Sequence, residues 1–294
     1  MDLMSGEWRL PVWPEAVDLQ DDLTPSTWIL PRLLPWCLPG RSDGTRVASI
    51  VPLGYPAYLR VLHPADGGKR RPSVTWREVA AWSGRTYHPL MQFGKLSVPR
   101  PGSSDPAPFS QEPREGHMYP DECHTLYTAL TKWTTTPHAC WLGIWEGWGS
   151  FGYPRSMGFF RRKTRSGRVA GDGGGNVEVK RMETELLEVA ERVRRSPRFN
   201  HPGRSYLLAK SPCAAISELT HYPLGVTPSL AWPDDRAWFV GCEIDFDSTL
   251  IATSEECAAA LLSDDRLETV VVRPEDRLDI GGDVLNLPLG DTPR

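Results

Sequence analysis

The sequence predicts an α+β fold built on one mixed β-sheet with flanking helices. Three observations lead there. Short runs of β-branched and aromatic residues alternate with segments of helical periodicity. The strand-like runs nearer the amino end are hairpin-like, which favours a mixed sheet over a purely parallel one. Glycine and proline, 26 and 28 residues of 294, fill about 18 % of the chain against a usual share of roughly 12 %, so the fold is rich in loops.

Residues 1–45 form an extended arm. Pro11, Pro14, Pro25, Pro31, Pro35 and Pro39 forbid a continuous helix or a central strand. The arm also carries Trp8, Trp13, Trp28 and Trp36, side chains that disordered segments lack, so it is expected to pack on the domain. Residues 46–294 form the α+β domain, with a possible division into lobes 46–160 and 177–294 joined by the basic, glycine-rich loop 161–176 (RRKTRSGRVAGDGGGN).

Arg46 to His63 reads as two strands around the bend of Pro52, Gly54 and Pro56. Thr75 and Glu78 match a capping box before a short helix from Trp76 to Trp82, and Gly84 is its stop. Residues 98–115 are a proline- and serine-rich loop. Pro120 to Trp133 is a helix, with Cys123, Leu126, Tyr127 and Leu130 on one stripe. ACWLGIWEGWG is a buried strand running into a turn at Glu146. A helix over Met182 to Arg194 has acids early and bases late. Tyr206 to Ala209 is a strand, and Ser211-Pro212 opens a helix to Leu219. Ala237 to Phe246 alternates strictly, Ser254 caps a helix to Leu262, and Arg266 to Arg273 is a last strand.

A formal charge of −4 and a pI near 6.0 argue against a general nucleic-acid or anionic-membrane binder. No run approaches the roughly 18–20 apolar residues of a membrane span, and no basic segment followed by an apolar run opens the chain at Met1. The six cysteines are scattered singly without a C-x-x-C pair, the pattern of reduced, buried thiols in a cytoplasmic protein.

EIDFD is the sharpest local signal. On a strand Glu243, Asp245 and Asp247 would project from one face, an oxygen-rich set suited to Mg²⁺, Mn²⁺ or Ca²⁺. A plainer reading ends the strand near Asp245 and has Asp247 cap a turn at Ser248 and Thr249. Trp141, Trp145 and Trp148 fall within eight residues. Trp141 and Trp145 would share a strand face with Gly143 between them, leaving a shallow platform for a ring or sugar. These tryptophans also suit a core or a partner interface. Glu146 beside them could act as a general acid with a strand carboxylate. His138 and Cys140 would point the same way, and the cluster Arg161 to Arg168 reads as a solvated loop or a dock for an acidic partner. Phosphate-binding glycine loops, H-E-x-x-H and G-x-S-x-G are absent.

Three blocks, VPLGYPAYLRVLHPA from Val51, CWLGIWEGWG from Cys140 and WPDDRAWFVGCEIDFDSTL from Trp232, resemble a family of actinomycete-type bacterial proteins with no established activity. The resemblance implies a bacterial cytosolic origin and a shared strand core, and it carries over no catalytic residue. The chain is therefore read as a cytoplasmic binding protein without catalysis or cofactor, using surfaces around Trp145, Trp148 and the EIDFD segment to hold a protein partner. The alternative is a divalent-metal or carboxylate-dependent hydrolase working through Asp245 and Asp247 or through Glu146.

Overall fold

Among the described residues the strand-forming runs come together in one sheet of nine strands. They are β1 (Asp18–Leu19), β2 (Ala57–Leu62), β3 (Cys140–Trp145), β4 (Arg198–His201), β5 (Arg204–Ser211), β6 (Leu230–Pro233), β7 (Phe239–Gly241), β8 (Ser248–Thr253) and β9 (Thr269–Val272). Their order is β1-β5-β3-β6-β7-β8-β2-β9, with β4 lying beside β5 next to β1. The computed structural model describes residues 14–36, 44–68, 73–148, 174–201, 203–221 and 225–286, and of residues 174–183 and 186 the backbone alone. Trp8, Trp13 and loop residues 161–173 therefore lie outside the described residues.

The α+β class holds, but the sheet is not mixed: every neighbouring pair is antiparallel. The β–α–β order near the carboxyl end explains the difference. β8 and β9 are joined through a helix and run parallel to each other, yet β2 lies between them and opposes both. Strands from the first half of the chain also interleave with those of the second, β3 between β5 and β6.

Local sequence chemistry accounts for the helices. α1 (Trp76–Ser83) has the Thr75/Glu78 box in place and ends at Gly84, whose φ of 70° is the left-handed stop that glycine tolerates. α2 (Phe93–Leu96) is a single turn. α3 (Pro120–Leu130) buries Cys123, Leu126, Tyr127 and Leu130, and its continuation to Trp133 is a 3₁₀ turn. α4 (Gly174–Arg195) begins eight residues before Met182, absorbing the last glycines of the expected loop. α5 (Glu255–Leu262) starts at Ser254, whose hydroxyl accepts the N–H of Cys257 at 3.2 Å. Residues 213–220 form a 3₁₀ helix rather than an α-helix. Among the described residues no helix is long and apolar enough to cross a membrane.

Two strand expectations fail for identifiable reasons. Of Arg46 to His63 only β2 is a strand; Val47–Ser49 is a 3₁₀ turn whose N–H groups go to the carbonyls of Asp276 and Pro274 at 3.0 and 2.9 Å. The alternation of Ala237 to Phe246 holds through Trp238, Val240 and Cys242, which share one core face, and then stops. Phe246 N–H bonds back to Glu243 O at 3.1 Å, closing a turn, and Ser248 and Thr249 open the central strand β8 instead of a turn.

Both faces of the sheet are buried. One packs Leu59, Leu142, Ile144, Leu207, Ala231 and Ile251 against α3, residues 213–220 and α5. The other packs Trp141, Leu208, Trp232, Phe239 and Leu250 against an irregular layer made of Trp28 and Ile29 of the arm, the segment Val47 to Val51 and Leu278. The arm is tied in by β1 on β5 and by Trp28, 9 % exposed, which meets Trp232 and Phe239 edge-on at 6.3 and 5.9 Å. All five described cysteines are free and buried. Replacing Trp28 with alanine removes the main apolar anchor of that layer, and a loss of about 3–5 kcal/mol in the denaturant unfolding of the full chain is expected.

Candidate functional site

The EIDFD segment is the turn between β7 and β8, so its carboxylates do not share a strand face. Two arginines divide them. Arg204, at the start of β5, places Nη2 2.9 Å from Glu243 Oε1 and 2.5 Å from Asp245 Oδ2. Glu243 is buried, and burial raises its carboxyl against the pull of Arg204; Asp245 is 61 % exposed. Asp247 turns the other way, to Arg60 of β2 at 3.4 Å. Arg60 is 1 % exposed and donates to Ser248 Oγ at 2.8 Å and to the carbonyls of Pro89 and Met91 at 3.1 and 2.8 Å. Burial lowers its guanidinium pKa and raises that of the Asp247 carboxyl, and the pair offsets both shifts.

The loop before α3 closes over this turn. Gly116 N–H donates to Phe246 O at 2.8 Å, and a Cβ at Gly116 would stand 2.6 Å from Ile244 Cα. His63 beneath it is held between Arg114 O and Thr249 Oγ1, both at 2.9 Å, and burial pushes its imidazole down to about 4. Among the described residues no three His, Cys, Asp or Glu side chains group as a metal-holding set. Asp245 and Asp247, expected as a Mg²⁺, Mn²⁺ or Ca²⁺ pair, are committed to different arginines.

The structure brings Trp145 and Trp148 together, edge-on at 5.5 Å, with His117 against Trp148 at 4.2 Å and the Arg204 guanidinium 5.9 Å from the Trp145 ring centre. Trp145, Glu243 and Asp245 thus meet around Arg204, with Trp148 joined to them through Trp145. Trp141 is separate: it is 9 % exposed, donates Nε1–H to Asp234 at 2.8 Å and lies under Lys210. The platform expected over Gly143 is filled, since a Cβ there would meet Phe199 and Leu230 at 3.1 and 3.0 Å. Glu146 is 45 % exposed and pairs with Arg198 at 3.1 Å, a surface ion pair rather than the apolar enclosure of a general acid. His138 is exposed while Cys140 is buried, so those two do not face one site.

Two cavities flank β4. One, of about 380 Å³, is lined by Leu23, Ile29, Leu30 and Phe199 together with Ser26 and Thr27. The other, of about 680 Å³, is lined by Trp145, Glu146, Gly203, Arg204 and Ser205. Leu30, Asn200 and His201 border both, so the two cavities adjoin along a groove between the arm and β4, the first mostly apolar and the second more polar. Both lie in the size range of ligand pockets. The sequence pointed only to the Trp145–Glu146 end; the apolar wall comes from the arm.

A larger groove of about 1250 Å³ runs between α1, α3 and the loop before β9. Its wall includes Glu122, whose Oε2 accepts the Tyr119 N–H at 3.1 Å and whose carboxyl burial pushes up to about 8. In the sequence Glu122 looked like a first-turn acid complementing the helix dipole, and only the enclosure around it shows otherwise.

Two measurements follow from these charges. Asp247→Asn strips the buried Arg60 of its anion and is expected to cost about 3 kcal/mol in chemical denaturation, whereas Asp245→Asn, on an exposed carboxylate, should cost under about 1 kcal/mol. Glu122 keeps its proton in the folded chain between its ordinary value near 4.5 and about 8, while the unfolded chain has lost it. Stability therefore falls as pH rises through that window. Glu122→Gln removes this slope and keeps an acceptor for Tyr119, so the variant should gain roughly 2 kcal/mol over the parent at pH 9 and little at pH 4.

Comparison of the chain with family models, with curated proteins and with solved structures gave no match.

Proposed function

We propose that the protein is a non-catalytic, cytoplasmic binding protein that holds a segment of a protein partner in the groove between the arm and β4. The observation behind this reading is that the two cavities adjoin and share Leu30, Asn200 and His201. An apolar side chain of the partner enters the 380 Å³ end, and its polar flank lies along Asn200, Ser205 and Trp145 in the 680 Å³ end. β4 supports this mode, because along the side turned from β5 its alternate N–H and C=O groups have no strand partner among the described residues. Leu30, 53 % exposed on the groove rim, is the contact a partner would cover.

Panning a random peptide library against the full chain tests this. Selected peptides should bind by calorimetry and lose at least about tenfold in affinity to Leu30→Asp, a rim variant whose unfolding midpoint should stay at the parent value. Peptides that ignore Leu30→Asp, or a library that yields no binder, would overturn the reading.

A second reading, a carboxylate-dependent hydrolase, rests on Glu122 in the large groove, a protonated acid at neutral pH. Turnover of p-nitrophenyl esters or glycosides that disappears in Glu122→Gln would support it; no turnover in the parent would end it.

A further inference from the structure

The two cavities meet at His201, the last residue of β4, which is 2 % exposed. Its Nε2 lies 3.0 Å from the carbonyl oxygen of Ile50, an atom that can only accept, so Nε2 carries a hydrogen. Burial pushes the imidazole down to about 4, and at neutral pH the ring therefore holds one proton only. Nδ1 is left as a bare lone pair, and among the described residues it has no hydrogen-bond partner. Tyr206 stands edge-on to the imidazole, ring centres 5.9 Å apart. Buried acceptors without a donor are rare in folded chains, and one beside a cavity marks where a ligand can supply the missing hydrogen.

The cavity that His201 lines restricts which donor can arrive. Leu23, Ile29, Leu30 and Phe199 make most of its surface apolar beside Ser26, Thr27 and Asn200, and about 380 Å³ has room for one aromatic side chain. Serine and threonine hydroxyls sit too near their own backbone to fill such a space. Phenylalanine fills it and brings no donor. An indole carries its N–H on the flank of the ring, whereas a phenol carries its O–H at the far end, the end that enters a cavity first.

Building on the groove reading above, we infer that the side chain of the partner that anchors in the apolar end is a tyrosine, whose hydroxyl donates to His201 Nδ1. Discrimination against phenylalanine then comes from the acceptor that phenylalanine leaves unpaired.

N-acetyl-L-tyrosinamide, N-acetyl-L-phenylalaninamide, N-acetyl-O-methyl-L-tyrosinamide and N-acetyl-L-tryptophanamide are titrated into the full chain labelled with ¹⁵N in its histidine rings. The tyrosine probe should bind at least about tenfold more tightly than the other three and shift the His201 Nδ1 resonance upfield, as expected when that lone pair accepts a hydrogen bond. His201→Phe should erase the preference. If that variant does not fold, the Nδ1 shift in the parent decides alone. Equal binding of the tyrosine and phenylalanine probes, or tighter binding of the indole, overturns the tyrosine assignment and leaves the groove reading standing. If no probe binds and panning also yields no groove-dependent peptide, both fall.

Discussion

Covering the second face of the sheet is the constraint on which the rest of this molecule depends. Both faces are apolar, and the helices α3 and α5 with residues 213–220 reach only one of them. Trp28 solves the problem from the arm. Trp232 and Phe239 stack nearly parallel, 13° apart at 5.6 Å, and Trp28 stands edge-on to both. Edge-to-face contacts of this kind add to the area term of burial. Arg32 and Arg236 place guanidinium groups 5.4 and 4.8 Å from the Trp28 ring centre. Arg236 does so from a φ of 56°, a left-handed conformation that costs a residue with a side chain about 1–2 kcal/mol. Its carbonyl also accepts the Tyr55 hydroxyl at 3.0 Å, so the strained turn is held from two sides.

A layer made of arm rather than helix leaves space at its margin. Past β1 the chain departs from β5 near Gln20, whose N–H still reaches Leu208 O at 2.8 Å, and β4 takes over the pairing from Leu207. The groove opens where the arm and β4 diverge. The charged turn between β7 and β8, whose partner Arg204 also lines the polar cavity, belongs to a different class of feature. Arg60 and Arg204 each neutralise carboxylates that would otherwise repel, and Arg60 also ties β2 to the 89–91 loop. Breaking such a buried pair is costly, while its formation adds little over apolar packing, so it fixes how the chain is arranged more than how stable it is.

Legibility in the sequence tracked the range of the interaction concerned. α1 and α5 were readable because Thr75, Glu78, Gly84 and Ser254 act within one turn of the residues they cap. The stripe of α3 was readable because its period shows which side is buried. β8 was missed because all six of its residues are buried, which abolishes the alternation that marks a half-exposed strand. EIDFD misled for the opposite reason: its alternation runs on past Cys242, whose N–H goes to Ser229 O, and nothing local announces the turn. The Trp141–Trp145 platform was lost to Phe199, a side chain from β4 that no reading of residues 140–149 could place. The groove draws on residues 23–30, 145–146 and 199–205, three segments distant in sequence, and a lone His201 before Pro-Gly carried no signal of its environment.

The arm's two roles are thermodynamically linked. Trp28, which holds the layer down, lies within the same short segment as Leu23, Ile29 and Leu30, which wall the groove. A ligand that binds only the docked arm stabilises that docking by RT ln(1 + [L]/Kd), about 2.7 kcal/mol at a hundredfold excess over Kd. Conversely, any weakening of the Trp28 contact lowers the fraction of chains in which the groove has both walls and reduces apparent affinity by that fraction, without touching a contact residue. A substitution at Trp28 and one at Leu30 should therefore differ in kind. The first loses affinity and stability together, and added ligand recovers part of both; the second loses affinity alone. This distinction separates a groove built by the arm from a pocket that the sheet would present by itself.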